Sequence, residues 1–202
     1  MYNFFYFELM LFCSYIFYRY LAKIFNLKRK SKTSNRHIED IFDLLKYGII
    51  IYLLIFLHNS SFFNIKYILF YFVSLTIAGF ILEIPGVGDT LPNIKKWNKN
   101  KFTVMVLFLT MTYLLNKGNF TFDKRNNSIL FFFIIFSIIT LIISYKQNKF
   151  KTLHPHHWQI FLFLSLLIKP KDVKTQILSS IFLSLYSHGI ICYSAASIFK
   201  HD

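Results

Sequence analysis

Only two cysteines, Cys13 and Cys192, stand in the 202 residues, each inside an apolar run. Neither a disulfide framework nor a cysteine-rich zinc module can be built from them. Acidic residues are also scarce: nine Asp and Glu face 23 Lys and Arg, for a formal net charge of +14. No nucleotide loop is present, since Gly86-Val87-Gly88-Asp89 lacks the third glycine and following helix start of a dinucleotide fingerprint and reads as a tight loop after Pro85. Nor is there a nucleophile–base pair or a consecutive carboxylate–histidine set of the kind an enzyme assignment needs. Alanine and arginine number four each while Phe, Ile, Tyr, Lys and Asn dominate. An A+T-rich genome imposes that bias whatever the fold, so the phenylalanine excess points to no function.

What is abundant is apolar sequence. Hydrophobic residues make up 55% of the chain and aromatics 20%, beside a large positive charge. A helical membrane protein combines the two because its loops hold nearly all the charge. The expected fold class is therefore all-α, a polytopic transmembrane bundle of seven spans, or six if the first is interfacial. The spans fall near 2–21, 43–58, 67–84, 102–116, 128–145, 155–168 and 176–199 of one membrane domain.

Met1 to Tyr18 lacks a basic n-region and a small-residue cleavage site, so it reads as a retained span and not a cleaved signal. It contains Glu8, about 16 Å of helix from Arg19. That carboxylate must be protonated or partnered, or the segment must tilt into the interface. Residues 22–42 read as a polybasic loop attracted to anionic lipid headgroups at about 1 kcal/mol per charge. No aromatic-interleaved platform accompanies it, so no nucleic acid is expected as a partner. Asp43 and Lys46 are expected to start the second span.

With the amino terminus outside and the carboxyl terminus inside, the inner segments hold 16 basic residues and the outer ones 7. That asymmetry satisfies the positive-inside rule. The three N-x-S/T sequons, at Asn59, Asn119 and Asn126, all fall in outer loops.

Thr152 to Ile168 carries no charge and opens on His154, Pro155, His156, His157 and Trp158. Proline suits a first helical position, so the histidines gather at a helix start on the inner face. Three uses compete. Imidazoles and Trp158 can form an interfacial belt. The helix start, with Lys146, Lys149 and Lys151, can hold a lipid phosphate. Alternatively, His154, His156 and His157 can ligate a divalent transition metal with remote help from His188, Glu83 or Asp89, although H-x-H-H lacks the i, i+4 spacing that brings two imidazoles onto one ion. His188 lies about 16 Å of helix from Phe199, near the midplane, where a histidine bonded to a neighbouring helix is the simpler explanation. The last span is rich in Ser, Gly, Ala and Cys and is expected to be the most buried, because small residues let helices approach closely.

LHPHHW, followed one span later by HGIICYSAASIF, resembles a pattern in uncharacterised polytopic membrane proteins with an H-x-H-H-[W/Y] helix start and a closing G-I-x-x-Y-x-A helix. The resemblance covers residues 153–199, departs at Pro155 and Ser194, and brings no activity with it. The function expected from the residues is that of a non-enzymatic integral membrane component, packing with other membrane subunits and needing no cofactor. A metal-dependent enzyme acting on lipid at the inner leaflet is the first alternative, and a small transporter or proton path using Glu8 and His188 the second.

Overall fold

The computed structural model describes residues 2–27, 31–56, 63–84, 87, 103–104, 106–110, 157–168 and 170–193. Among these the chain is all-helical, with no strand. The elements are α1 (Tyr2–Ile24), α2 (Ser34–Ile51) running on into a π-helical turn (Tyr52–Phe56), α3 (Ile65–Glu83), α4 (His157–Leu167) and α5 (Val173–Tyr193). The expected span 128–145, most of 102–116 and the three sequons lie outside the described residues.

Each helix end has a local cause. Asn26 closes α1 in the left-handed region at φ 51° while Leu27 N–H bonds back to Ala22 O. Asparagine tolerates that conformation better than any branched residue does. Thr33 and Asn64 cap α2 and α3 by accepting from Arg36 N–H and Tyr67 N–H. At α5, Asp172 accepts from Thr175 N–H at 2.8 Å while the Thr175 hydroxyl accepts from Asp172 N–H at 3.0 Å. This reciprocal box starts the helix at Val173, three residues before the expected 176.

The larger correction concerns the polybasic loop. Residues 34–42 are helical, so α2 begins at Ser34 and not near Asp43. Asp40, Leu44, Gly48 and Ile51 form its buried stripe, with the i, i+4 recurrence of one helix face. Its charges are partly spent within the helix, since Arg36 pairs with Glu39 and Asp40. Charge density thus suggested a loop where local pairing and an amphipathic stripe make a helix.

The bundle is assembled around α5, which packs on α1, α2, α3 and α4. Fifteen of its 21 residues are buried, including Ser184, Ser187, His188 and Cys192. The expectation of a buried last span holds among the described helices. Phe7, Leu11, Tyr18, Tyr67, Tyr71 and Leu75 form the facing core from α1 and α3. A smaller cluster of Ile168, Leu178 and Phe182 is covered by Phe161 and by Phe108 from the helical stretch 106–110.

The outward faces are apolar as well. Phe5, Leu9, Phe12, Ile16 and Tyr20 are exposed along α1, and Leu69, Val73, Ile77 and Phe80 along α3. Polar groups are instead gathered inside. The Tyr71 hydroxyl lies 2.8 Å from both Ser14 and Ser187, Tyr67 pairs with Ser179 at 3.1 Å, and Tyr186 donates to Leu44 O at 3.0 Å. Among the described residues two helices, α3 and α5, are long and apolar enough to cross a membrane.

Candidate functional site

Among the described residues, titratable groups gather where α1 ends, α2 begins and α5 reaches its last turn. Lys32, in the connection between α1 and α2, turns inward and places its ammonium 2.7 Å from the Asp40 carboxylate. The two side chains are 3% and 0% exposed. The ammonium also donates to Ile191 O at 2.6 Å and Ile190 O at 3.3 Å, and lies 5.9 Å from the Tyr15 ring centroid. A cation there satisfies carbonyls at the negative end of α5. Burial pulls the Lys32 ammonium below its ordinary value of 10.5, and Asp40 opposes that shift by hydrogen bond and by charge.

Beside this pair the Tyr15 hydroxyl lies 2.7 Å from His37 Nδ1. His37 is held below its usual 6.5 by burial first, then by the Arg19 and Lys32 charges. One layer further along α5, His188 Nε2 lies 2.9 Å from the Tyr18 hydroxyl and 3.4 Å from Cys192 Sγ. His188 and Cys192 are four residues apart and share a face of α5. Tyr18 reaches them because Gly79 of α3 leaves room: a Cβ there would stand 2.8 Å from the Tyr18 ring and hydroxyl.

Of the residues singled out in the sequence, His188 lies in this cluster. It sits one turn from the Lys32 ammonium's carbonyl partners, because a charged segment folds in to its level. Glu83 is half-buried at the end of α3, one turn beyond the Gly79 that Tyr18 packs against. His157 is the first residue of α4. His154, His156, Asp89, Lys146, Lys149 and Lys151 lie outside the described residues, as do the side chains of His157 and Trp158. Among the described residues no three His, Cys, Asp or Glu side chains converge as a metal site would require.

Sequence reading missed Lys32, Asp40, Tyr15, Tyr18 and His37. A usable signal existed in Thr33 preceding a run with Asp40, Leu44, Gly48 and Ile51 at helical spacing, which places Asp40 on the apolar face. Chemically, each group in the cluster fastens one helix to another: α1 to α5 through Tyr18, α1 to α2 through Tyr15, and α2 to α5 through Asp40 and Lys32. No protein-family model matches the chain, and neither a curated protein nor a solved structure is significantly similar to it.

Proposed function

We propose that this chain is a multi-pass integral membrane protein, seven spans with the amino terminus outside, serving as a packing and interaction component of a membrane assembly. The observation that carries the reading is the apolar outer face of α1 and α3 around an interior that also holds polar groups. Large apolar side chains face outward on α1 and α3, while hydroxyls, the His188 imidazole and the Lys32–Asp40 ion pair are sequestered against α5. In water such an exterior would be a very large exposed apolar surface. In lipid it is the ordinary exterior, and the inward groups bond between helices. The exposed stripe from Ile65 to Phe80 runs about 22 Å along α3, most of a hydrocarbon core of about 30 Å.

The polar fastenings support a scaffold more than a catalyst, since the imidazoles and the lysine are already engaged with protein groups. The basic inner segments supply the attraction to anionic headgroups, and the apolar faces of α1 and α3 are surfaces for lipid or for other membrane subunits. The test is biochemical. Membranes containing the full chain are washed with alkaline carbonate, and single cysteines at Ser31 and Asn119, in a background lacking Cys13 and Cys192, are labelled with an impermeant maleimide. Retention in the pellet, with the two positions labelled from opposite faces, is the expected result. Release by carbonate, or labelling of both from one face, overturns the threading.

A further inference from the structure

Glu8 lies apart from the cluster just described, seven residues before Tyr15 and ten before Tyr18, about 10 and 15 Å along α1. Its carboxylate is set into the seam between α1 and α2. A Cβ on Gly48 would stand 3.2 Å from Oε1 and 3.4 Å from Oε2, so the missing side chain of Gly48 is the space that receives it. Oε1 is buried and has no hydrogen-bond partner among the described residues. Buried carboxylate oxygens are ordinarily paired, because the desolvation cost is otherwise uncompensated.

A second, independent feature lies one turn away. Helix α2 changes at Tyr52 into a π-helical turn, and the Tyr52 N–H is shared between Gly48 O and Ile49 O. Single π turns inside helices are frequent at functional sites. The two carbonyls that share this N–H belong to Gly48 and its neighbour Ile49, on the stretch of α2 that Glu8 packs against. The first turns of α1 are fastened to that π turn by aromatic contacts, Phe4 to Tyr52 at 5.1 Å and Phe7 to Phe56 at 5.4 Å. The geometry of the seam is therefore held from both sides.

The ionisable groups around it bond to other partners. On α2, Lys46 is exposed, lies 3.8 Å from Asp43 and stands over the Tyr47 ring. On α5, the Tyr186 hydroxyl is spent on Leu44 O, and on α3 the Tyr71 hydroxyl is spent on Ser14 and Ser187. We infer that Glu8 is an intramembrane cation-binding residue, taking a proton or a small monovalent cation in the α1–α2 seam, with the carbonyls at the α-to-π transition as its remaining ligands. Carboxylates and carbonyls of interrupted helices are the donors such cations use inside bilayers. The inference rests on α1 being a membrane span, as proposed above.

Dicyclohexylcarbodiimide, which modifies carboxyl groups in apolar surroundings, tests it on the full chain in proteoliposomes. Labelling is located by mass spectrometry at mildly acidic and mildly alkaline pH, with sodium or choline as the only added cation. Glu8 is expected to be modified, and the label to fall several-fold on alkalinisation if the ligand is a proton, or on adding sodium if it is that ion. Glu8→Gln should abolish the label while the protein still elutes as a single folded species. Should that variant not fold, the pH and sodium dependence of the parent chain decides by itself. Absence of label at Glu8, or label indifferent to both pH and sodium, overturns the inference. Release of the protein by alkaline carbonate would instead overturn the membrane reading on which it stands.

Discussion

At the scale of single residues, the Lys32–Asp40 pair carries the greatest consequence. Two charges with side chains 3% and 0% exposed have lost their hydration, and their mutual contact, the Ile190 and Ile191 carbonyls and the Arg36 guanidinium beside Asp40 compensate. Removing one partner leaves the other buried without its nearest counter-charge. Asp40→Asn is expected to destabilise the fold by about 3 kcal/mol or more, measured by thermal unfolding in detergent. The pair Lys32→Met with Asp40→Leu should cost less than the two single changes added together, because neither charge is then left unpaired.

His37 makes a pH-dependent prediction. Its folded value is lowered below 6.5 by burial and by the Arg19 and Lys32 charges. Between that lowered value and 6.5 the unfolded chain binds more protons than the folded one, so stability rises with pH across that window and is lost on acidification. Replacing His37 by Gln should flatten the dependence there while leaving a hydrogen-bonding partner for Tyr15. An unchanged slope in a pH series of melting curves would assign the effect to other groups.

At the scale of elements, α3 and α5 illustrate two ways for an apolar helix to behave. One shows a row of branched and aromatic side chains to the outside, and the other is enclosed on nearly every side. Their contact is set by Gly79, whose missing Cβ admits Tyr18 between them. Gly79→Ala should push the Tyr18 ring aside, break its bond to His188 and cost about 1–3 kcal/mol, as overpacking does. Adding Tyr18→Leu should recover part of that loss, because the atom that collides has been removed. A strictly additive double mutant would show that the close approach at Gly79 is not what limits the packing. Helix α2 shows how an element escapes sequence reading. Its first turns are crowded with charge, so they resemble a solvated connection, yet Thr33 caps them, Arg36 binds Glu39 and Asp40, and the buried stripe runs on without a break.

At the scale of the whole molecule, large apolar side chains on the outer faces of α1 and α3 beside buried polar seams are the arrangement that a bilayer, acting as solvent, favours, and the proposed membrane reading rests on it. The sequence by itself determined the helical class and the central place of the last helix, because apolar content and small-residue content are properties of a segment alone. Only the tertiary structure decided which face of each helix turns inward. In α1 nearly every position is apolar, so Phe7 and Leu11 inside cannot be told from Phe5 and Leu9 outside by composition. It also decided the partners. Tyr18 meets His188 across 170 positions of chain and Lys32 meets Ile191 across 159, and such pairings arise from the packing of helices against one another, which local pattern does not encode.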